Sequence, residues 1–525
     1  MPLLTVELAG TCRSFSFEAG RSVKDILDGT DVRVRSGCPG LGTCGLCRIR
    51  VVEGEHGVPT LHEQILLTAD ERGLGTRLGC QVFPPGDLRI EVLALAQRSP
   101  WRSLLDEPRL NLGPEDLAEF PAGALGVAVD LGTTHISLAL YDLAGGRLLA
   151  GRHGQNPQAD LGADVISRLQ AAKGDPDQAH AMSQLVLQAV AEGLFDIASR
   201  EGIDLKRVSR IALVGNTPML ALLAERNYEQ LLHPSQWDLS LDCRPADPGA
   251  WAAPLRIDPA ARIEVLPPLA GFVGSDLLAG VAITRLTRDG VGALFIDFGT
   301  NSEIALWDGG TLRVTSAAGG PAFESGISCG MPAEPGAVHQ VGPDFQVSVL
   351  VGQEPQGLCG SGLVDLVANL LRTGLLNARG QFSPAVSPEG FPMVLGKGGL
   401  ILTRRDVDLL QRAKAGVGAG VRVLMNQAGM AGRDLGRVCV GGIFGRFLDV
   451  ANAQAIGLLP VTPADRVELC GNTALAGCAE ALLSPAARDR LDAIRDRAKL
   501  INMANCPEFD DCFLENLFLR PLGGT

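Results

Sequence analysis

The chain has 525 residues, 46% of them hydrophobic and 4% aromatic, and a formal net charge of −13. Single hydrophobic cores stop growing near roughly 250–300 residues, so this length requires more than one domain. The acidic balance argues against a nucleic-acid binder, which carries a basic footprint.

Met1 to Leu8 reads as a strand and not as a signal peptide, because no basic segment precedes an apolar one. No run of about 18 uncharged apolar residues occurs, so no membrane-spanning helix is expected; the apolar stretch 266–283 is broken by Pro267, Pro268 and Asp276. Thirteen cysteines, an odd number without a secretory signal, point away from a disulfide framework and towards a reducing, cytoplasmic setting.

Residues 3–8 and 13–17 alternate as two strands, and Val23 to Leu27 makes a helical turn. Cys38, Cys44, Cys47 and Cys80 follow, with the spacing C-x5-C-x2-C-x32-C, and Gly37, Gly40, Gly42 and Gly45 lie in the loop that carries the first three. Two sulfide-bridged irons need four converging thiolates, and glycines let the loop curl and aim N–H groups at sulfur. Zinc sites usually take two C-x2-C pairs, and only Cys44 and Cys47 form one. The pattern resembles the β-grasp 2Fe–2S ferredoxins, in the branch with five residues between the first two ligands. The nine other cysteines read mostly as small buried hydrophobes.

Residues 96–123, with Pro100, Pro108, Pro114 and Pro121, read as a hinge-like linker. The chain then restarts with an apolar strand ending in Asp130-Leu131-Gly132-Thr133-Thr134. A similar passage, Asp297-Phe298-Gly299-Thr300, recurs 167 residues later. In each, a strand delivers an Asp to Mg²⁺, Gly permits a hairpin close to a phosphate, and Thr hydroxyls and N–H groups cradle its oxygens. A third element, the strand 437–440 followed by Gly441-Gly442, offers bare backbone to a nucleoside. No G-x4-G-K-[ST] loop occurs. In this order the three elements resemble the superfamily of actin, sugar and acetate kinases and heat-shock chaperones.

A ferredoxin joined to such a domain resembles the reductive activators of corrinoid proteins. Further stretches carry that resemblance: Asn156-Pro157-Gln158, Gly162 to Arg168, Val214 to Met219, Gly271 to Asp276, Gly319 to Glu324, Gly360-Ser361-Gly362, Phe444 to Asp449, Ile456 to Pro460 and Gly471 to Leu475. The resemblance implies an α+β β-grasp ferredoxin domain (1–95), a linker (96–123) and an α/β actin-like, ribonuclease-H-like, duplicated ATPase domain (124–525), its second half starting near 292. Because the first phosphate motif follows the linker at once, the middle domain that family members often carry is expected to be missing.

The implied activity is ATP-dependent transfer of one electron from the cluster to a corrinoid protein, returning inactive Co(II) to Co(I). Cys38, Cys44, Cys47 and Cys80 would ligate iron. Asp130 and Asp297 would handle Mg²⁺, Asp297 also orienting the attacking water. Gly132, Thr133, Thr134, Gly299 and Thr300 would hold the phosphates of ATP, and Gly441 and Gly442 its nucleoside. Glu324 is a candidate cleft carboxylate or a structural partner to a turn. The implied partners are a corrinoid protein and an upstream low-potential electron donor, with neither nucleic acid nor membrane, and homodimerisation is left open. Two alternatives stand: a nucleotide-regulated electron carrier without ATP turnover, and a small-molecule kinase with a redox-sensing domain.

Overall fold

The computed structural model describes residues 2–522 except 9–10, 18, 29–31, 33, 35–41, 43–44, 46, 94–100, 105–106, 163, 289, 300, 318, 324–325, 334–335, 351–354 and 394–398. The chain divides into two compact units: residues 1–103 with 152–155 and 190–206, and residues 104–151, 156–189 and 207–525.

The first unit is built on five strands, β1 (Leu3–Leu8), β2 (Thr11–Ser16), β3 (Arg48–Gly54), β4 (Thr76–Leu78) and β5 (Leu88–Val92), in the order β2-β1-β5-β3-β4. β1 and β2 form an antiparallel hairpin, whereas β1 and β5 run parallel. Strand alternation sends Leu4, Val6, Ile49 and Ile90 inward, each 0% exposed. Helix α1 (Val23–Asp28) closes this core with Val23, Ile26 and Leu27.

Beneath the sheet's far edge lies a buried ion pair. Arg77 donates through Nε and Nη2 to both oxygens of Glu63, at 2.8 and 2.9 Å. Glu63 also accepts from the N–H groups of Thr60 and Leu78. Arg77 spends its other N–H groups on the carbonyls of His56, Gly57 and Val58. Burial pushes the Glu63 carboxyl up, but these donors together hold it below the usual carboxylate range. A pair so fully satisfied fixes the strand that leads into Cys80.

The second unit repeats one design. In its first half β6 (Leu125–Leu131) pairs antiparallel with β7 (His135–Asp142), which continues to β8 (Arg147–Gln155). On its other side β6 runs parallel to β9 (Val208–Gly215), which is flanked by β10 (Arg262–Val265). In its second half β11 (Gly292–Phe298) pairs antiparallel with β12 (Ser302–Trp307), then β13 (Leu312–Ala317), and runs parallel to β14 (Leu435–Gly441), then β15 (Val467–Gly471). The middle strands of both halves are almost continuously buried, as strands covered on both faces must be.

Helix α2 (Ser275–Ile283) and helix α3 (Thr473–Leu483) pack against each other between the two sheets. Small residues make this possible: a Cβ on Gly477 would lie 2.3 Å from the Ala279 carbonyl oxygen, and one on Gly280 would lie 2.6 Å from the Phe295 ring.

The stretch expected to be a hinge is anchored to this unit from Leu104 onwards. Leu104, Leu110, Leu112, Leu117 and Phe120 pack on the core, and the Asn111 N–H donates to Glu480 at 2.7 Å. Apolar residues between the prolines bind the stretch down where punctuation alone read as flexibility.

Helix α4 (Arg404–Ala428) starts at a Thr403 cap. Helical periodicity alone puts its Asp406 on the polar side with Arg404, Arg405 and Asp408, yet Asp406 is buried and accepts from Ser328 and Thr403. No helix among the described residues is long and apolar enough to cross a membrane.

Lys414, in the middle of α4, is 0% exposed and donates to the carbonyls of Asn516 and Phe518, fastening the C-terminal segment. Burial, reinforced by Arg520, pushes its ammonium down to about 7. A neutral amine keeps two N–H groups, enough for both carbonyls. From about pH 7 up to the ordinary 10.5 the unfolded chain carries this proton and the folded chain does not, so this component of stability grows as pH rises through that window and is lost as pH falls through 7. In thermal denaturation between about pH 6 and about pH 9, the melting temperature of the native chain should therefore gain on that of Lys414→Met as pH rises.

Candidate functional site

Two of the four predicted thiolates, Cys38 and Cys44, lie outside the described residues. Cys47 immediately precedes β3, and Cys80 sits in the turn after β4. Their sulfurs are 3.4 Å apart, and the side chains are 1% and 3% exposed. That separation is far beyond a disulfide bond of about 2.05 Å. It approaches the edge, roughly 3.8 Å, of a tetrahedron with metal–sulfur bonds of about 2.3 Å.

The Cys80 thiol is pushed down to about 6: the contact with Cys47 comes first, then the Gln81 side chain, the Gly42 N–H and the Lys24 charge, which together outweigh burial. Gly42, at φ +75°, has no room for a Cβ, which would fall 2.8 Å from Gln81 Nε2. The donor set fits an iron–sulfur cluster held by thiolates with N–H groups turned towards sulfur.

The second site lies where the two halves of the duplicated unit meet. Asp130 is the penultimate residue of β6 and Asp297 that of β11. Each stands on a hairpin strand, in register with Ser137 and with Glu303 respectively, and Asp297 is also in register with Gly441. Gly442, at φ +84°, lies so close that a Cβ would be 3.1 Å from Asp297 Oδ1 and 2.5 Å from the Phe298 carbonyl. Thus Asp130, Asp297, Gly441 and Gly442, read from separate motifs, converge. Gly299 follows on the β11 hairpin, whereas Thr300 and Glu324 lie outside the described residues.

Three further residues complete the cluster and were missed as site residues by sequence reasoning. Asp276 stands in the first turn of α2; Glu303, on β12, is 8% exposed; Asn472, the N-cap of α3, donates from Nδ2 to Asp130 at 3.0 Å. Burial pushes Asp130 up to about 6. Burial and the charge of Asp130 push Asp276 to about 7. Burial with Asp276 and Asp130 pushes Asp297 to about 8, and Glu303 is raised well above its usual range by burial, Asp276 and Asp297. Among the described residues no Lys or Arg pairs with any of them. Such a donor set fits a hard divalent cation, which binds oxygen ligands and neutralises their mutual repulsion.

The loop read as the first phosphate motif is braced by its neighbours. Asn156 Nδ2 donates to the Gly132 carbonyl at 2.9 Å, Asn216 Nδ2 to Thr133 Oγ1 at 3.1 Å, and the Asn156 N–H to the Thr134 carbonyl at 2.8 Å. Arg168, 1% exposed, donates to the carbonyls of Thr133 and Gly162. These are the family-like stretches of the sequence, and their polar residues converge on one loop. On the second half Phe298, Phe323 and Phe444 meet edge-on or tilted, centroids 5.1–5.8 Å apart, an apolar wall beside Gly360 and the Gly441-Gly442 turn.

Fold and sites together define a 2Fe–2S ferredoxin joined to an actin-like ATPase. The family described as "2Fe-2S iron-sulfur cluster binding domain" matches residues 6–85, "RACo middle region" matches 125–289, and "C-terminal domain of RACo the ASKHA domain" matches 292–523. The chain is 34% identical over 416 residues to "Corrinoid activation enzyme RamQ" of Eubacterium limosum, covering 74% of this chain and 70% of the relative. It is 28% identical over 433 residues to "[Co(II) methylated amine-specific corrinoid protein] reductase" of Methanosarcina barkeri, covering 74% and 76%. A solved structure, "Reductive activator for corrinoid,iron-sulfur protein", superposes with a TM-score of 0.70 at 26% identity over 99% of both chains. The chain belongs to the family of reductive activators of corrinoid proteins. The expectation of a missing middle domain is corrected: the family's middle region is present at 125–289 and contains the first phosphate motif itself.

Gln81 Nε2 reaches Cys80 Sγ at 3.6 Å. A donor to sulfur favours the more negative, reduced state. Gln81→Leu should therefore keep the visible cluster absorption while making the reduction potential more negative by about 20–60 mV, given about 59 mV per tenfold in a one-electron equilibrium. A redox titration followed by electron paramagnetic resonance measures it.

Proposed function

We propose that this chain is a cytoplasmic, ATP-dependent reductive activase that returns the Co(II) of an inactivated corrinoid protein to Co(I). One electron passes from the protein to cobalt, and ATP is hydrolysed to ADP and phosphate. A bound 2Fe–2S cluster supplies one-electron storage and a bound Mg²⁺ supplies charge neutralisation at the phosphates.

The residues of the chain do the rest. Cys38, Cys44, Cys47 and Cys80 hold the irons, with Gln81 and Gly42 donating to sulfur. Asp130 and Asp297 hold the cation, joined by Asp276 and Glu303, and Asn472 fixes the rotamer of Asp130. Asp297 also orients the attacking water. Gly132, Thr133, Thr134, Gly299 and Thr300 receive the phosphates through N–H and hydroxyl groups, and Arg168 stiffens their loop. Gly441 and Gly442 receive the nucleoside. The electron reaches the protein from a low-potential donor.

Reducing Co(II) is uphill for an ordinary donor, so free energy has to enter from elsewhere. Closure of two halves around a nucleotide is a two-state change able to supply it. The observation that carries this reading is the convergence of both strand-end aspartates and the double glycine in one cleft, on the chain that also brings Cys47 and Cys80 together. A nucleotide-regulated carrier without turnover would bind ATP at the same cluster but release no phosphate when its partner is present. A kinase would consume ATP with a metabolite alone.

The test is to mix the holoprotein with a Co(II) corrinoid protein and a reductant, and to follow the cobalt absorption bands with and without Mg-ATP. Co(I) should form only with ATP, and Asp297→Asn should slow it about a hundredfold or more while leaving the cluster spectrum intact. Equally fast reduction without nucleotide would overturn the proposal.

A further inference from the structure

A cavity of about 1330 Å³ lies against the edge strand β15, and five arginines line it: Arg109, Arg285, Arg288, Arg437 and Arg490. They come from four places: the anchored stretch before β6, the segment after α2, the start of β14, and the helix Pro485–Arg497. Three carboxylates answer them. Glu480, 2% exposed, takes Arg285 at 3.0 Å and Arg490 at 3.5 Å; Glu468 takes Arg437 through both oxygens at 2.7 Å; Asp116 stands on the wall.

Arg109 and Arg288 pair with no carboxylate among the described residues, so two positive charges stay uncompensated in a chain of net charge −13. The excess acts on its neighbours: burial first, then Arg285, lowers the Arg490 guanidinium, and Arg288 adds to the effect. Guanidinium groups converging on a concavity without enough carboxylates match the planar, bidentate demands of phosphate oxygens. A cavity of this size admits a nucleotide-sized molecule.

We infer that this arginine-lined cavity is a second anion site, which takes a small molecule carrying two or more phosphate groups. None of Asp130, Asp276, Asp297 and Glu303 lines it, so it is distinct from the proposed nucleotide cleft. The two sites share their supports, since α2 carries Asp276 at its start and lines the cavity at its end, and Asn472 stands between Cys470 of the cavity wall and α3.

Cys470 gives the site its own reporter. It is partly exposed on the cavity wall, and its contact with Cys439 holds the thiol below its ordinary range. The test uses the full-length holoprotein and inorganic pyrophosphate. Alkylation of Cys470 by iodoacetamide is followed by peptide mass spectrometry, a readout on the cavity wall itself, and the double variant R109A/R288A separates binding here from binding in the carboxylate cleft.

Pyrophosphate should slow Cys470 alkylation in the native chain. In R109A/R288A, which changes two exposed side chains, the concentration needed should rise about tenfold or more, as expected for loss of charge-assisted hydrogen bonds. Absence of protection at millimolar pyrophosphate overturns the inference, as does equal protection in the double variant. Protection by a polyglutamate peptide but not by pyrophosphate also overturns it, making the cavity a docking site for an acidic segment.

Discussion

Four carboxylates gathered in one cleft, three half-buried and Glu303 buried, are the constraint around which the second unit is organised. Asp130, Asp276, Asp297 and Glu303 repel one another and are poorly solvated, so each is pushed towards its neutral form. A fold keeps such a cluster only if surrounding structure over-determines it. Here the over-determination is visible: two of the carboxylates end central strands of separate sheets, one opens a helix, and one faces its neighbour across a hairpin. On the proposed function a divalent cation would lower the cost of assembling them, and cation and nucleotide binding would draw the two halves together. The double glycine beside Asp297 and the braced loop around Thr133 are then the surfaces those forces act through.

Glu63 and Arg77 present the opposite solution in the first unit. There a buried charge pair is satisfied at every oxygen and nearly every N–H, and nothing remains for a ligand. Its role is to make the approach to Cys80 rigid, because Leu78 is held by Glu63 and Gly79 by the Cys47 carbonyl. Satisfied polar burial builds the scaffold; unsatisfied polar burial marks the site.

That distinction also explains what could be read from the chain alone. Asp130 and Asp297 were legible because each ends an apolar run and precedes a glycine hairpin, a local pattern that occurs twice. The cysteine spacing was legible because three thiolates in a glycine-rich loop with a fourth downstream have few other uses, and Cys47 and Cys80 do meet. Asp276 and Asn472 stood in the quoted stretches and Glu303 just beyond the second motif, yet no local pattern separates a helix-start Asp that enters a cleft from one that caps a turn. Their meaning comes from residues hundreds of positions away, as when Asn472 reaches Asp130. Asp406 failed in the other direction: on the polar side of a helix by periodicity, it is buried because Ser328 and Thr403 supply its hydrogen bonds.

The anchored stretch from Leu104 to Gly123 bears on how the halves can move. Its Asn111 donates to Glu480 on α3 and to the Ile283 carbonyl at the end of α2, so it ties together the two helices that lie between the sheets. A change in the angle between those helices, which any closure around a nucleotide entails, has to be accommodated by this tie. The glycine-lined contact between α2 and α3 admits almost no compression, since Gly477 already touches the backbone of Ala279. On the proposed closure, rotation about that contact would swing the two sheets without unpacking either core.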